Sequence, residues 1–210
     1  MKKIALLAIA ASVVLASCAG NPEGKKAETT DSVETTAPAV EGVAYTVDAA
    51  ASKVEWTGTK VTGAHHGVIN ITSGSLTTDA GKIIGGSFVL DMNTISSTDL
   101  EGEWKEKLDG HLKNEDFFDV AKFPEAKFDI TSIAAGAAAD DVKVSGNLTI
   151  KGVSKNISFD AKVLELTDAV VKVNADFNIA REDWGVSYSG KEDDLISKEI
   201  NFKVSLTAKK

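Results

Sequence analysis

The sequence predicts an all-β fold, an antiparallel β-barrel of about eight strands with one helical insertion near residues 98–118. Through most of the chain after residue 43, apolar side chains recur at every second position, with Lys, Asp, Asn, Ser and Thr between them. This period of two is typical of antiparallel strands with one buried and one solvated face. Several strands are long enough to strain an open sheet, and closure into a barrel removes the exposed edges.

Polar turns divide the alternating segments. Residues 78–81, 139–141, 151–155 and 167–168 are rich in Gly, Asp, Ser and Thr, which favour turns. The side chains predicted to share the buried face of the strands between these turns include Val54, Trp56, Phe88, Leu90, Met92, Phe128, Ile130, Val144, Leu148, Ile157, Phe159, Ala161, Val173, Ala175, Phe177, Phe202, Val204 and Leu206.

Residues 98–118 interrupt this alternation and predict a helix. Thr98 and Glu101 have the spacing of a capping box at its start. An apolar stripe recurs every four residues and needs an apolar surface beneath it. The residues of this stripe are Leu100, Trp104, Leu108 and Leu112.

Residues 1–17 have the features of an export signal and are excluded from the fold. Lys2 and Lys3 precede an apolar stretch, residues 4–16, that is too short for a stable membrane-spanning helix. The signal ends in LASC, which resembles the lipobox of bacterial lipoproteins, where the cysteine is lipidated after cleavage. Cys18 is the only cysteine, so it has no disulfide partner, and lipidation accounts for it. An ordinary secretory signal that happens to contain a cysteine is the alternative.

We expect residues 18–42 to be a flexible tether between the lipidated Cys18 and a barrel domain at residues 43–210. The tether holds few large apolar side chains, so it cannot bury enough surface to offset its ordering entropy. Ala19 follows the cysteine in place of the aspartate that hints at retention in the inner membrane. The expected location is therefore the cell envelope, with a lipid anchor in the outer membrane and the barrel facing the periplasm.

Charge and motif content exclude several classes of function. A formal net charge of −8 and the lack of a basic stripe argue against nucleic acid as a partner. His65 and His66 are adjacent on a predicted strand and point to opposite faces, and His111 is distant, so no metal site is expected. No G-x-S-x-G elbow, G-x-G-x-x-G motif or P-loop occurs. We expect neither catalysis nor a resident cofactor.

Three segments resemble, in the same order, motifs of the YceI-like family of exported bacterial proteins. HLKNEDFFDVAKFPEAKF at 111–128 resembles the family signature. GNLTIKGVSKNISF at 146–159 resembles its G-x-L-T-x-x-G-V-T-K segment, with Ser154 in place of Thr. ADFNIAREDWGV at 175–186 resembles its R-x-D-F-G element, with Trp184 in place of Phe. The resemblance implies a lipocalin-like barrel that binds polyisoprenoid lipids, in proteins that are commonly homodimers.

The implied function is binding, sequestration or transport of a polyisoprenoid or similar long apolar lipid, with a quinone or an unrelated hydrophobe as alternative ligands. Periodicity alone leaves open whether side chains or a ligand fill the lumen. By resemblance, the helical insertion and its phenylalanines shape the entrance of the barrel. The candidate ligand-binding residues are Trp56, Phe88, Trp104, His111, Phe117, Phe118, Phe123, Phe177, Arg181 and Trp184.

Other roles stay open for these residues. The aromatic side chains of the insertion could fasten the helix to the barrel instead of contacting a ligand. We expect His111 to bond Asp116 or Asp119, and Arg181 to pair internally with a carboxylate. An enzyme acting on an isoprenoid lipid would require His111, Asp116 and Arg181 to converge at the barrel mouth. An envelope-stress interaction module would instead show a contiguous exposed apolar patch.

Overall fold

The computed structural model describes residues 20–34 and 42–210, so the expected export signal and Cys18 lie outside the described residues. It contains one α-helix, α1 (Gly102–Lys113), and a 3₁₀ helix (Arg181–Trp184). The strands are β1 (Lys25–Lys26), β2 (Glu28–Asp31), β3 (Val43–Val47), β4 (Lys53–Lys60), β5 (Gly63–Asp79), β6 (Lys82–Ser97), β7 (Glu125–Ala135), β8 (Asp141–Ile150), β9 (Val153–Leu166), β10 (Val170–Ala180), β11 (Gly190–Lys191) and β12 (Asp194–Lys209).

Eight strand positions close the barrel by antiparallel pairing. Each strand from β5 to β9 pairs with the next one along the chain, and β10 pairs with β12. β3 and β4 share the eighth position, because both lie between β12 and β5. The prediction of a closed antiparallel barrel with one short helix is therefore confirmed.

The two ends of the barrel differ. One end carries α1 and the longer connections, and we call it the insertion end. It is formed by residues 61–62, 98–124, 151–152 and 181–193. The opposite end carries the turns that join β5 to β6, β7 to β8 and β9 to β10.

The start of α1 differs from the capping-box prediction. Its N-cap residue is Glu101, which makes no side-chain capping bond. The amide of Thr98 instead donates to the carbonyl of His66 on β5, at 2.9 Å. The chain enters the helix through Gly102 at a φ of +55°, a backbone conformation that favours glycine. The capping-box prediction is wrong because the helix begins at Gly102 with Glu101 as its N-cap residue, three residues after Thr98. No helix within residues 20–34 and 42–210 is long and apolar enough to cross a membrane.

Asp109 ties α1 to the end of β6. Its carboxylate accepts hydrogen bonds from the amide of Ser97 at 2.7 Å and the hydroxyl of Ser96 at 2.8 Å. The Nζ atom of Lys105, one turn earlier, lies 3.1 Å from the same carboxylate. Burial raises the pKa of Asp109, but these donors outweigh it and hold the pKa below its ordinary value. The helix is thus fixed by a charged contact as well as by apolar packing.

The apolar stripe of α1 is covered over only part of its length. Leu112 is 6% exposed, and Leu108 is partly buried against the same core cluster. Trp104, at the start of the stripe, is 70% exposed, with the Nζ atom of Lys107 lying 5.0 Å from its ring centroid. The prediction that Trp104 rests on an apolar surface is wrong, because the helix extends beyond the surface that covers Leu108 and Leu112.

Residues 20–34 differ from the flexible tether expected for them, and we call them the N-terminal strap. β1 runs parallel to β10, and β2 runs antiparallel to β9. β9 and β10 pair with each other only in the half of the barrel away from the insertion end, as far as Ala161 and Ala175. Nearer the insertion end the strap pairs with both strands, and its Ala27, 5% exposed, joins the barrel core.

Two asparagines on the barrel wall explain why the strap is held without large apolar side chains. The amide of Asn178 donates to the carbonyl of Pro22 at 2.9 Å, and the amide of Asn201 donates to the Asn178 side-chain oxygen at 2.9 Å. Gly24 lies against this pair at a φ of +132°. Amino-acid composition does not predict this attachment of the strap, because it is made by hydrogen bonds to the backbone and by one close contact of a glycine.

We expect Gly24→Ala to release the strap. A Cβ atom there would collide with the side-chain oxygen of Asn178 and the side-chain nitrogen of Asn201, in a backbone conformation already unfavourable for alanine. Hydrogen exchange of the Ala27 amide, which donates to the Asn178 carbonyl at 2.8 Å, should accelerate roughly 10- to 100-fold. Gly20→Ala is the control, since its Cβ would meet no atom within 4 Å. Unchanged protection of Ala27 would contradict this account.

Asp109→Asn should weaken the protein in a pH-dependent way. The folded pKa of Asp109 is lowered, so its stabilisation is fully present above the unfolded pKa and is lost as pH falls through the folded pKa. We expect the variant to lose about 1–2 kcal/mol of unfolding free energy at about pH 7, with the difference shrinking toward about pH 3. Urea unfolding at both pH values measures it, with Glu106→Gln on the exposed side of α1 as control. If the two proteins differ in unfolding free energy by the same amount at both pH values, the negative charge of Asp109 does not contribute to stability.

Candidate functional site

The barrel lumen contains an apolar cavity of about 160 Å³, which we call the lumen cavity. Hydrophobic side chains from all eight strand positions line it, together with Phe118 from the insertion. A cavity of this size has room for on the order of ten water molecules, but water needs polar partners that this lining does not offer. The lumen cavity is therefore suited to an apolar occupant.

Five phenylalanines from five strands face the lumen and form what we call the phenylalanine belt. Phe159 on β9 and Phe177 on β10 stack with their ring centroids 4.0 Å apart. The other neighbouring pairs have centroid distances of 5.7 to 6.4 Å. In order around the lumen, the belt consists of Phe88, Phe128, Phe159, Phe177 and Phe202.

The structure places three of the predicted ligand-binding residues in the lumen cavity: Phe88, Phe118 and Phe177. Phe128, Phe159 and Phe202 also line it but were absent from the predicted site. The signal that finds them is the period of two, which had already assigned all three to the buried face of their strands.

A second cavity of about 90 Å³ lies between the lumen and the insertion end. It adjoins the lumen cavity, because Ile69, Phe118 and Phe202 line both. Its rim is partly open to solvent, since the side chains of Lys60 and His65 are 31% and 30% exposed. The predicted site residues that line the second cavity are Trp56, His111, Phe117, Phe118 and Arg181.

Trp56 supplies an unused hydrogen-bond donor at the second cavity. Its side chain is 6% exposed, and its indole Nε1 is buried with no partner in the described part of the chain. The ring lies across Gly67 on β5, where a Cβ atom would approach it to 2.6 Å. A buried donor left without an acceptor costs about 1–3 kcal/mol, so an acceptor from a ligand would be stabilising there.

His111 has the local contact that was expected of it. Its Nε2 atom lies 3.1 Å from a carboxylate oxygen of Asp116. The ring also makes edge contacts with Tyr188, at a centroid distance of 4.6 Å, and with Phe117, at 5.7 Å. These contacts hold the imidazole in one orientation at the wall of the second cavity.

Arg181 is buried, with 2% exposure, and bonds to backbone carbonyls. Its Nε donates to Ser197 at 2.8 Å and its Nη1 donates to Val186 at 2.6 Å. The expected internal pair with a carboxylate is therefore wrong. Burial lowers the pKa of the guanidinium, but an arginine in a protein stays protonated. Arg181 thus fixes the 3₁₀ helix to β12 and to the segment that follows the helix.

The structure places the remaining predicted site residues, Trp104, Phe123 and Trp184, outside both cavities. Trp104 is exposed on α1. Phe123 packs on the turn at Gly152, where a Cβ atom would approach its ring to 2.7 Å. Trp184 is fully buried, and its Nε1 donates to the carbonyl of Leu148 at 2.9 Å.

The histidines near the insertion end are not grouped as metal ligands. His65 Nδ1 lies 2.8 Å from a carboxylate oxygen of Asp99, whereas His66 is exposed on the other face of β5. Within residues 20–34 and 42–210, no three or more His, Cys, Asp or Glu side chains are arranged to hold a metal ion.

Several known proteins are similar to this chain. Protein YceI of Escherichia coli O17:K52:H18 (strain UMN026 / ExPEC) is 30% identical over 115 residues, which is 54% of this chain and 52% of that protein. The match therefore spans about half the length of this relative.

Two solved structures share the fold. BcnA of Burkholderia cenocepacia has a TM-score of 0.63 at 22% identity, covering 77% of this chain and 99% of BcnA. A polyisoprenoid binding domain from Saccharophagus degradans has a TM-score of 0.62 at 20% identity, covering 79% of this chain and 97% of that domain. The YceI-like domain matches residues 45–208, which is most of the chain. The barrel, its cavities and this match together show that the chain belongs to the YceI-like family.

Proposed function

We propose that the protein holds a polyisoprenoid or similar long apolar lipid in its barrel and carries or sequesters it in the bacterial cell envelope, without catalysis. The observation that carries this proposal is the wholly hydrophobic lining of the lumen cavity. A void between close-packed side chains forfeits dispersion contacts, and an apolar chain placed there restores them. The similar fold of the polyisoprenoid binding domain from Saccharophagus degradans adds support at the level of ligand class.

The binding energy available in the lumen is adequate for a lipid carrier. Burial of one carbon of a hydrocarbon chain contributes about 0.8 kcal/mol, so one five-carbon isoprene unit contributes about 4 kcal/mol. Two buried units would match a micromolar dissociation constant before the costs of ordering are subtracted. Hydrophobic burial alone can therefore retain the ligand, and no catalytic group is needed.

The second cavity favours a ligand with an oxygen-bearing headgroup. Trp56, whose Nε1 is unpartnered, and Arg181 are among its lining residues, and Lys60 and His65 stand at its solvent-open rim. A quinone carbonyl, a polyprenol hydroxyl or a prenyl phosphate would each supply an acceptor. This arrangement supports a ligand whose tail occupies the lumen cavity and whose polar end occupies the second cavity.

Anchoring by a lipid on Cys18 belongs to the same proposal. Its support is the LASC sequence at the end of an export signal, together with the absence of any second cysteine. Residues 1–17 would be removed, and the barrel domain at residues 43–210 would face the periplasm from the outer membrane.

The alternative of an enzyme acting on an isoprenoid lipid has less support. It requires His111, Asp116 and Arg181 to converge in an open pocket. His111 and Asp116 contact each other, but the guanidinium of Arg181 is directed at the carbonyls of Ser197 and Val186.

Ala161→Phe should abolish lipid binding by filling the lumen cavity. Ala161 is 6% exposed and lines that cavity, so a benzyl group would occupy the space of the ligand. Protein with the wild-type barrel, carrying Cys18→Ser so that no lipid anchors it, is purified from periplasm without detergent and should contain a stoichiometric prenyl lipid by mass spectrometry, whereas Ala161→Phe in the same background should contain none. Ala134→Phe, at an exposed position on β7, is the matched control and should retain the lipid. If the wild type neither retains nor takes up prenyl lipids, the proposed function is wrong.

Trp56→Phe should separate headgroup recognition from tail burial. The change keeps an aromatic ring and removes the unpartnered donor, but the smaller ring leaves a gap beside Gly67, so the unfolding free energy should fall by about 1–2 kcal/mol. Affinity for a prenyl quinone or polyprenol should drop roughly 5- to 30-fold, while affinity for squalene, which has no headgroup, should stay the same. In the control, Trp184→Phe, the lost bond is internal to the protein, so only stability should decrease. Equal losses for squalene and quinone would exclude a headgroup role for Trp56.

A further inference from the structure

Exposed apolar side chains are concentrated near the insertion end. Val61, in the β4–β5 turn, is 37% exposed, and its amide donates to the carbonyl of Leu195, which is 40% exposed. Val153, after the β8–β9 turn, is 38% exposed, and Trp104 on α1 is 70% exposed. We call these four residues the apolar rim. Of the other large hydrophobic side chains exposed in the described ranges, Val43 and Leu164 lie toward the opposite end.

Trp104 is the most exposed member of the rim, and it is connected to the second cavity through its own helix. Leu108 and Leu112, one and two turns further along the same stripe, both line that cavity. Trp104 therefore continues the apolar lining of the second cavity outward, past the point where the barrel covers it. An indole ring with an apolar body and a polar N–H favours the boundary between water and lipid.

Cys18 precedes by two residues a segment that is fixed at the same end. The carbonyl of Gly20 accepts a hydrogen bond from the hydroxyl of Thr59, and Thr59 lines the second cavity. Asn21 is also fixed there, because its side-chain oxygen accepts a hydrogen bond from Ser197 at 2.9 Å. The two residues from Cys18 to Gly20 can span at most about 7 Å. A lipid on Cys18 would consequently hold the insertion end against the membrane that it enters.

We propose that the insertion end docks on the surface of the membrane that holds the Cys18 lipid, with Trp104 as its interfacial contact and the second cavity opening toward the bilayer. The proposal rests on the lipid anchor and deepens the proposed lipid-binding function, because it names the source of the ligand as that bilayer. The short distance from the anchor to Thr59 leaves this end little freedom to turn away.

The charges around Trp104 indicate a contact that is apolar and not electrostatic. Glu101, Glu103 and Glu106 are exposed at the start of α1, and Lys107 is paired with Glu103 at 2.7 Å. An acidic surface of this kind gains nothing from anionic headgroups. Docking should therefore occur on zwitterionic lipid, and added salt should change it little.

Tryptophan fluorescence tests the proposal, because Trp104 is the exposed one of the three tryptophans, with Trp56 6% and Trp184 0% exposed. The full-length lipidated protein is reconstituted in phosphatidylcholine and phosphatidylethanolamine vesicles with or without brominated acyl chains. Wild-type emission should be quenched by the brominated lipid, and Trp104→Phe should lose most of this quenching. A second variant, Trp104→Phe with Leu164→Trp, moves the exposed indole toward the opposite end and should not be quenched.

Four outcomes would overturn the docking proposal. Quenching at both positions means that the barrel has no preferred orientation, and quenching at neither means that the insertion end does not touch lipid. Failure of the protein to remain with the vesicles means that Cys18 carries no anchor. In native envelope membranes, Trp104 emission that is blue-shifted but not quenched by added brominated lipid would mean that a protein partner covers the apolar rim. This result would also reject docking.

Ligand occupancy separates this proposal from the proposed function. Prenyl quinone is added to the same vesicles, and native mass spectrometry of the protein released from them measures the quinone that is bound. Bound lipid without quenching rejects docking and leaves lipid binding intact. Quenching without bound lipid supports docking and rejects the carrier function.

Discussion

The seam between β9 and β10 is the constraint on which the rest of the structure depends. These strands pair from Ala161 and Ala175 toward the opposite end, and a bulge interrupts even this short ladder. Without that pairing the sheet would have two open edges, and the inward faces of eight strands would be wet. The N-terminal strap pairs with both strands where they separate, so it completes the wall of the lumen. Residues 20–34, whose composition predicts a flexible tether, therefore form part of the barrel wall.

Closure also explains why the lumen is hydrophobic throughout and yet incompletely filled. Every second residue of each strand points inward, and the phenylalanine belt occupies one level of the lumen with five large rings. Elsewhere the inward residues include smaller side chains such as Val144, Ala161 and Ala175. A core built for stability alone would reach the packing density of other protein interiors, because an unfilled cavity is destabilising. The lumen cavity lowers the packing density of this core, and a bound ligand would raise it again.

The sequence predicts features that follow from local periodicity, and it misses those that depend on where an element ends. Phe128, Phe159 and Phe202 were assigned to the buried face correctly, because alternation along one strand is sufficient for that. Trp104 was placed wrongly, because a helical stripe identifies the apolar face of α1 but not how far the barrel supports it. Arg181 finds carbonyl acceptors on β12 and in the segment after its own 3₁₀ helix, and no spacing along the chain encodes that arrangement.

The distribution of polar groups along the two cavities favours one direction of ligand movement. The lumen cavity offers no hydrogen-bonding side chain, so passing a polar headgroup through it would cost several kcal/mol of desolvation. Trp56 and Arg181 lie at the second cavity, on the side of the insertion end. A lipid that enters tail first from that end buries its hydrocarbon chain in the belt and leaves its headgroup at the solvent-open rim of the second cavity, where Lys60 and His65 lie. Under the proposed orientation the headgroup stays near the membrane surface throughout, and only the tail transfers between two apolar environments.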